Sequence, residues 1–305
     1  MLLGSIRASS THFHTPTPIG VSFSPAGLLT PFHLGVAQRL QELGIITQST
    51  TLAGSSGGAI AAAVTAVGLS SNDTLAACNR IAQKCRDSGT FRTLSTSFQT
   101  EIQALLPESV STTLNTRQGR TILGYRQIWP QFQSHFVSEF ASKADVCEVI
   151  TASCTIPFYF SGSLAVDVRG GYGVDGFFSL PSRFGCPDTS SNLELVVTPF
   201  RPEVLGLGGF ISTPSRRVDI ISPALLLNSR WPYSSSELIR LALAPPSASG
   251  GYGRSVASDS QIKAQYEVLF AAGVDCVDAW CVQVPEGTTR SNAEAAAELA
   301  AVKSA

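Results

Sequence analysis

The chain has 305 residues, of which 44% are hydrophobic and 14% charged, and its formal net charge is −1. This length can bury an ample core in one or two domains. The near-neutral charge offers no basic surface, so no nucleic-acid partner is expected. The seven cysteines include no C-x-x-C pair, and their odd number favours reduced, intracellular thiols over a disulfide framework or a zinc site.

The first 18 residues have a different composition from the rest. They contain one arginine, several serines and threonines, and no acid, which fits either a disordered leader or an organelle transit peptide. The longest apolar run, 57–69, is shorter than the roughly 18 residues that a membrane-spanning helix needs. We therefore interpret it as a buried helix.

Apolar periodicity predicts alternating strands and helices. The first are a strand over 19–23, a loop over 24–31, and a helix from Phe32 that ends at Gly44. The later predicted elements are a strand over 50–53, helices over 59–64 and 74–86, a helix over 145–152 capped by Asp145, a tight turn at 173–176, strands at 193–198 and 218–222, and helices at 234–243 and 260–272. This alternation predicts an α/β fold with a mostly parallel central sheet and helices on both faces.

A G-x-S-x-G motif lies between the second strand and its helix, at Gly54 to Gly58. This pattern is typical of a serine nucleophile, here Ser56, on a sharp strand-to-helix turn. Gly54 and Gly58 let the strand and helix approach closely, and the helix N-terminus favours negative charge near Ser56. An ordinary Gly-Ser turn is the alternative interpretation of the motif alone.

The histidines do not suggest a catalytic triad. A triad of the α/β-hydrolase type runs Ser, Asp or Glu, then His along the chain. His12, His14 and His33 precede Ser56, and we assign no catalytic role to His135 either. If Ser56 is a nucleophile, its base is most simply a carboxylate.

Four segments together resemble the patatin-like phospholipase family, and within it the branch of adipose triglyceride lipase. They are 21–36, 54–58, 151–159 and 174–177, and the resemblance runs from about 19 to 200. It implies a patatin-like three-layer α/β/α fold. We expect a leader at 1–18, a catalytic core at 19–200, an extension at 201–285 packed on that core, and a tail at 286–305.

The resemblance implies a Ser-Asp dyad, with Ser56 as the nucleophile and Asp175, followed by Gly176, as the base. From the local sequence alone, Asp175 would be a turn residue before a glycine. A free carboxylate, with a pKa near ~4, is a weak base at neutral pH. Much of the rate would therefore come from stabilising the oxyanion.

The oxyanion loop departs from the family's Gly-rich pattern, because Pro25 to Thr30 keep only Gly27 of its three glycines. Pro25 cannot donate a hydrogen bond. By position, the N–H groups of Ala26 and Gly27 should be the donors, and that of Gly57 should contribute. Phe177, where the family has a tiny residue, is expected to need room and to line the acyl site.

The implied activity is that of a serine lipid acyl hydrolase, of the triacylglycerol lipase or phospholipase A type, without a metal or organic cofactor. The expected partner is a glycerolipid at a membrane or lipid-droplet surface, and the sequence does not reveal an activator protein. The expected compartment is the cytoplasm, with peripheral association to those surfaces, and a plastid or another organelle is the alternative. A non-catalytic lipid-binding or regulatory protein with the same fold is the alternative function.

Several other side chains have two interpretations. Trp129, Phe132 and Phe136 lie in a segment that could contact lipid, but core packing is the default interpretation of aromatic residues at this spacing. Solvated surface is the default for four arginines that could contact phospholipid headgroups, Arg169, Arg216, Arg217 and Arg230. We interpret Gly206 to Gly209 as a loop, and His33 as a packing or hydrogen-bonding residue.

Overall fold

A computed structural model describes residues 19–202, 210, 212–226, 231–245 and 258–283. The predictions for the leader, the tail, Gly206 to Gly209 and Arg230 lie outside these residues. The described strands are β1 (Ile19–Phe23), β2 (Thr51–Ser55), β3 (Thr121–Trp129), β4 (Gln133–Val137), β5 (Val166–Val168), β6 (Gly171–Val174), β7 (Leu193–Val197) and β8 (Arg217–Ile221). The described α-helices are α1 (Thr30–Glu42), α2 (Gly57–Ala66), α3 (Ser71–Ser88), α4 (Leu94–Leu105), α5 (Val110–Thr116), α6 (Lys143–Ser153), α7 (Ser235–Leu243) and α8 (Asp259–Gln283).

The eight strands form one sheet, in the order β5-β6-β3-β2-β1-β7-β8, with β4 also paired to β3. The strands from β3 to β8 in this order pair in parallel, whereas β4, β5 and β6 form antiparallel pairs. Every residue of β1 and β7 is buried. Strands buried along their whole length lie in a sheet covered on both faces. The predicted α/β fold with a mostly parallel sheet flanked by helices is confirmed.

Two described elements of the segment after residue 200 contact the central sheet. Strand β8 pairs in parallel with β7, from Leu193 opposite Arg217 to Val197 opposite Ile221. Helix α8 is tied to this edge by a hydrogen bond from Trp280 Nε1 to Asp219 Oδ2 of 3.0 Å. Most of one long face of α8 is buried, including Tyr266 and Leu269.

Two local predictions are wrong. Helix α6 is capped by Ser142, whose hydroxyl accepts a hydrogen bond from the Asp145 N–H, so Asp145 lies in the first turn and is not the cap. No tight turn occurs at 173–176, because Gly171–Val174 is a strand and Gly176–Ser179 is a 3₁₀ helix. The cap at Ser142 starts helix α6 two residues before Asp145, and pairing with β3 and β5 continues strand β6 as far as Val174.

The hairpin of β3 and β4 is absent from the sequence prediction. Its alternation is weak because Gly124, Arg126 and Gln127 interrupt the apolar pattern of β3. The sequence pattern predicts core packing for three of its aromatic residues, and this prediction is wrong. Trp129 is 55% exposed, Phe132 72% and Phe136 41%.

Three arginines that the sequence places either at the solvated surface or at phospholipid headgroups are each paired with an acidic side chain. Arg169 contacts Asp145 at 2.7 Å and Arg217 contacts Asp219 at 2.8 Å. Arg216 lies 2.5 Å from the fully buried carboxylate of Glu194. These arginines therefore hold parts of the fold together, and a headgroup role has no support from their contacts.

Candidate active site

The sheet brings Ser56 and Asp175 together through one edge of β3. On this edge β2 pairs with β3 as far as Ser55 opposite Gly124, and β6 arrives from the other direction with Val174 opposite Arg126. Strand β4 occupies the other edge of β3 over both positions. The residues that follow β2 and β6 therefore meet head to head.

Ser56 lies on a strained turn between β2 and α2. Its backbone has φ 55° and ψ −129°, a combination that a side chain with Cβ rarely adopts and that clusters at functional sites. The turn is tight because a Cβ on Gly54 would lie 2.1 Å from the carbonyl oxygen of Gly58. A Cβ on Gly58 would lie 2.2 Å from the carbonyl oxygen of Phe23. Both motif glycines are thus required by close backbone approach.

The hydroxyl of Ser56 donates a 2.9 Å hydrogen bond to Asp175 Oδ2. The other carboxylate oxygen accepts a 2.8 Å bond from the Phe177 N–H, and the Asp175 N–H donates to the Thr155 carbonyl at 2.8 Å. A Cβ on Gly176 would lie 2.6 Å from that of Ser55, so only glycine fits after the acid. Three contacts thus fix the carboxylate beside the hydroxyl.

Burial changes the basicity of this carboxylate. Asp175 is 2% exposed and Ser56 is 6% exposed. Burial raises the pKa of Asp175 to about 7, although the hydrogen bonds from Phe177 and Ser56 act in the opposite direction. A group with a pKa near the working pH is an efficient general base. The ordinary carboxylate pKa near ~4, which the sequence alone suggests, therefore underestimates the basicity of Asp175 in this site.

Sequence reasoning missed a residue that holds the turn. Ser153, the last residue of α6, accepts a 2.7 Å hydrogen bond from the Ser56 N–H and donates a 2.5 Å bond to the Gly124 carbonyl. It therefore connects the turn, α6 and β3 in the buried interior. Ser153 falls inside the quoted segment 151–159, but a serine at a helix end has no local pattern that predicts this contact.

The expected oxyanion donors gather at the N-terminus of α2. A Cβ on Gly57 would lie 3.2 Å from the Gly27 nitrogen and 3.2 Å from the Ala26 Cβ. Among the described residues, the N–H groups of Ala26, Gly27 and Gly57 have no hydrogen-bond acceptor. Gly27 has φ +53°, which favours glycine, and a Cβ there would lie 2.1 Å from the Ala242 carbonyl oxygen. Helix α7 thus supports this loop.

An apolar pocket opens onto Ser56. With its open mouth and the adjoining solvent included, it has about 630 Å³ of empty space. Its lining includes Ile60, Ile81, Phe98, Phe160, Ala242, Leu243 and Tyr266. The last three belong to the extension, and the Tyr159 hydroxyl donates to the Leu243 carbonyl. Phe177, expected to line the acyl site, packs against Phe178 and Phe184 and does not line this pocket.

The described histidines are engaged elsewhere. His33 is fully buried and its Nε2 donates a 2.8 Å hydrogen bond to the Ser24 carbonyl. Burial lowers the pKa of His33 to about 4, so the ring is neutral at neutral pH. Chain order alone does not exclude His135, since Asp73 lies between it and Ser56. The His135 ring, however, stacks on Tyr125 and bonds to Gln127 and Gln133.

Cys154 is the other nucleophilic side chain beside Ser56. It also lines the pocket. Burial and the neighbouring charge of Asp175 raise the pKa of its thiol well above the ordinary value. The thiol stays protonated and is a poor nucleophile. All seven cysteines, each of them in the described part of the chain, are unpaired.

The described residues contain no helix long and apolar enough to cross a bilayer. They also contain no group of three or more His, Cys, Asp or Glu side chains arranged to hold a metal ion.

Comparisons with known sequences agree with the resemblance. The family model described as patatin-like phospholipase matches residues 21–181. The chain is 26% identical over 169 residues to "Patatin-like phospholipase domain-containing protein 4" of Homo sapiens. The matched region covers 52% of this chain and 64% of that protein. The crystal structure of VipD from Legionella pneumophila is similar over 87% of this chain and 67% of that one, with 12% identity and a TM-score of 0.43. Because the family model matches more than half of the chain, this protein belongs to the patatin-like phospholipase family.

Proposed function

We propose that this protein is a serine lipid acyl hydrolase that uses Ser56 and Asp175 as a catalytic dyad. The observation that carries the proposal is the 2.9 Å hydrogen bond between the two side chains, in a buried site where the pKa of Asp175 is raised to about 7. The family assignment supports lipid ester hydrolysis in general. The apolar pocket beside Ser56 suits an acyl chain.

In the proposed reaction, Asp175 takes the hydroxyl proton as Ser56 Oγ attacks the ester carbonyl. The tetrahedral oxyanion is stabilised by the free N–H groups at the start of α2 and in the loop at Ala26 and Gly27. The alcohol leaves with the proton from Asp175, and Ser56 remains acylated. A water molecule then loses a proton to Asp175 and attacks the acyl carbon. As the fatty acid is released, Asp175 returns this proton to Ser56 Oγ and the hydroxyl is restored.

Triacylglycerol and phospholipid are both within this proposal. The pocket contacts the acyl side of the ester, which these lipids share, so its lining does not select a headgroup. We propose triacylglycerol or another glycerolipid at an interface as the substrate. A panel of these lipids, presented as emulsions and as vesicles, would identify the preferred class from the relative rates of fatty-acid release.

A fluorophosphonate probe tests the chemistry directly, because it labels only an activated serine. We expect the wild-type protein to be labelled and to hydrolyse esters, and Ser56→Ala to lose both properties while it keeps its melting temperature. Ser55→Ala is the matched control, because the buried Ser55 hydroxyl has no hydrogen-bond partner among the described residues. If a folded wild-type protein is not labelled, the dyad is wrong and a non-catalytic lipid-binding role is favoured.

A further inference from the structure

The side chain of Thr30 places a hydroxyl group beside the active-site turn. Thr30 is the first residue of α1 and stands where the Gly-rich pattern of the oxyanion loop has its last glycine. It is 3% exposed, and it lines the apolar pocket together with Ser56 and Gly57. Thr30 therefore borders the space into which an ester would bind.

The Thr30 hydroxyl lies close to the expected oxyanion donors. A Cβ on Gly57 would lie 2.5 Å from Thr30 Oγ1 and 3.2 Å from the Gly27 nitrogen. The hydroxyl oxygen and this nitrogen are therefore at most about 6 Å apart, so one oxygen atom between them could accept from both at about 3 Å from each. Because Gly57 has no Cβ, the space between these groups stays open.

The hydroxyl can redirect its proton without leaving a buried carbonyl unpaired. It donates a 2.8 Å hydrogen bond to the Gly27 carbonyl, and that carbonyl also accepts a bond from the Thr30 N–H. The O–H bond rotates about the Cβ–Oγ1 bond to suit its acceptor. When it turns away, the Gly27 carbonyl keeps its backbone donor, so the usual cost of breaking a buried hydrogen bond is avoided.

A developing negative charge would attract this hydroxyl more strongly than the Gly27 carbonyl does. Hydrogen bonds to an ionised acceptor are roughly twice as strong as those between neutral groups. The carbonyl of the bound ester is neutral, so the advantage arises only as the oxyanion forms. An interaction that is stronger in the transition state than in the ground state raises kcat and leaves KM little changed.

We propose that the Thr30 hydroxyl is a side-chain donor of the oxyanion hole, in addition to the backbone donors. As Ser56 Oγ adds to the ester carbonyl and its proton passes to Asp175, the carbonyl oxygen becomes the oxyanion. The Thr30 O–H then turns from the Gly27 carbonyl to this oxygen and keeps its own proton throughout. This inference rests on the proposed function, since it requires an oxyanion formed at Ser56.

Kinetics with a soluble ester, p-nitrophenyl butyrate, test this role. Thr30→Val removes the hydroxyl and keeps the branched shape, and we expect it to lower kcat by about 100-fold with little change in KM. Thr30→Ser keeps the hydroxyl and should keep most of the activity. Thr30→Ala removes the hydroxyl without placing a methyl group against the Gly27 carbonyl, and it should match Thr30→Val.

Thr74→Val is the matched control. The Thr74 hydroxyl and N–H both donate to the Ser70 carbonyl, at 3.1 Å and 3.2 Å, as those of Thr30 both donate to one carbonyl. Thr74 is 1% exposed, but it does not line the pocket. This variant therefore loses a buried hydroxyl of the same kind without losing a group of the active site, and we expect it to keep the wild-type kcat. Melting temperatures would compare the stability of the two valine variants.

A trifluoromethyl ketone distinguishes an oxyanion donor from a residue that only supports the fold. The Ser56 hydroxyl adds to its carbonyl and leaves an oxyanion in the hole, whereas the corresponding secondary alcohol has no carbonyl to attack. We expect Thr30→Val to weaken inhibition by the ketone by about 100-fold and to leave inhibition by the alcohol unchanged. An inhibition constant does not depend on the concentration of folded protein, so the comparison stays valid if the yield of the variant falls.

Three results would overturn this inference alone. They are a wild-type kcat in both Thr30→Val and Thr30→Ala, an equal loss of affinity for the ketone and the alcohol, and a kcat of Thr30→Ser as low as that of Thr30→Val. With any of them, the proposed dyad would still stand if Ser56→Ala loses probe labelling and hydrolysis. Hydrolysis by a folded Ser56→Ala protein would instead overturn both proposals.

Discussion

Asp175→Asn should inactivate the protein and, at alkaline pH, stabilise it. The substitution keeps the shape of the side chain and its contact with the Phe177 N–H, but it removes the charge and the base. Loss of a general base typically lowers the rate by about 10²–10⁴-fold. The stability effect follows from burial, which makes the ionised carboxylate costly in the folded state.

Proton linkage gives the direction in which the free energy of unfolding changes with pH. The pKa of Asp175 is raised from 3.8 to about 7 in the folded protein, so between these values the folded state binds more protons than the unfolded state. The free energy of unfolding then falls as pH rises, by about 1.4 kcal/mol per pH unit and by about 4 kcal/mol in total. The stability that the raised pKa of Asp175 contributes is fully present below the unfolded pKa of 3.8 and is lost as the pH rises through the folded pKa of about 7.

Urea denaturation at pH 5 and pH 8 tests this reasoning. At pH 5 Asp175→Asn should already be the more stable by about 2 kcal/mol, because Asp175 of the wild-type protein is ionised in the unfolded state at this pH, whereas at pH 8 the difference should reach about 4 kcal/mol. Comparing the two proteins cancels the other titrating groups. Asp167→Asn, which removes an exposed carboxylate, is the control for net charge. The same stability difference at both pH values would refute the raised pKa.

Three further predictions concern the surroundings of the dyad. Ser153→Ala should destabilise the protein by roughly 1–3 kcal/mol and lower the rate, since it leaves the Ser56 N–H without its acceptor, and denaturation and ester assays would measure both effects. Gly27→Pro should lower kcat by about 100-fold, because it removes a donor and cannot adopt φ +53°, whereas Pro25→Gly should change kcat only modestly; similar kcat values for the two variants would contradict the oxyanion assignment. His33→Gln should keep most of the activity of a folded sample, and a loss of several orders of magnitude would return the protein to the triad mechanisms.

Much of the fold was predictable because its signals are local. The buried strands at 19–23 and 193–198 were predicted within a residue of β1 and β7, since strands covered on both faces are almost continuously apolar. The hairpin of β3 and β4 was not predictable in the same way. Its pairing depends on partners far along the chain, and its tip exposes the aromatic residues that pattern reasoning assigns to a core.

The candidate site likewise has some features that the local sequence predicts and others that depend on distant segments. The sequence by itself determined the motif at Gly54 to Gly58 and, through the family resemblance, the choice of Ser56 and Asp175, because strand-turn-helix motifs are short and each residue type has a local reason. Only the tertiary structure decided that these side chains lie 2.9 Å apart, since β2 and β6 meet on one edge of β3. The raised pKa of Asp175 likewise depends on burial by segments that are distant along the chain. The sequence around position 175 does not predict this burial, because it does not show which distant segments exclude water from the side chain.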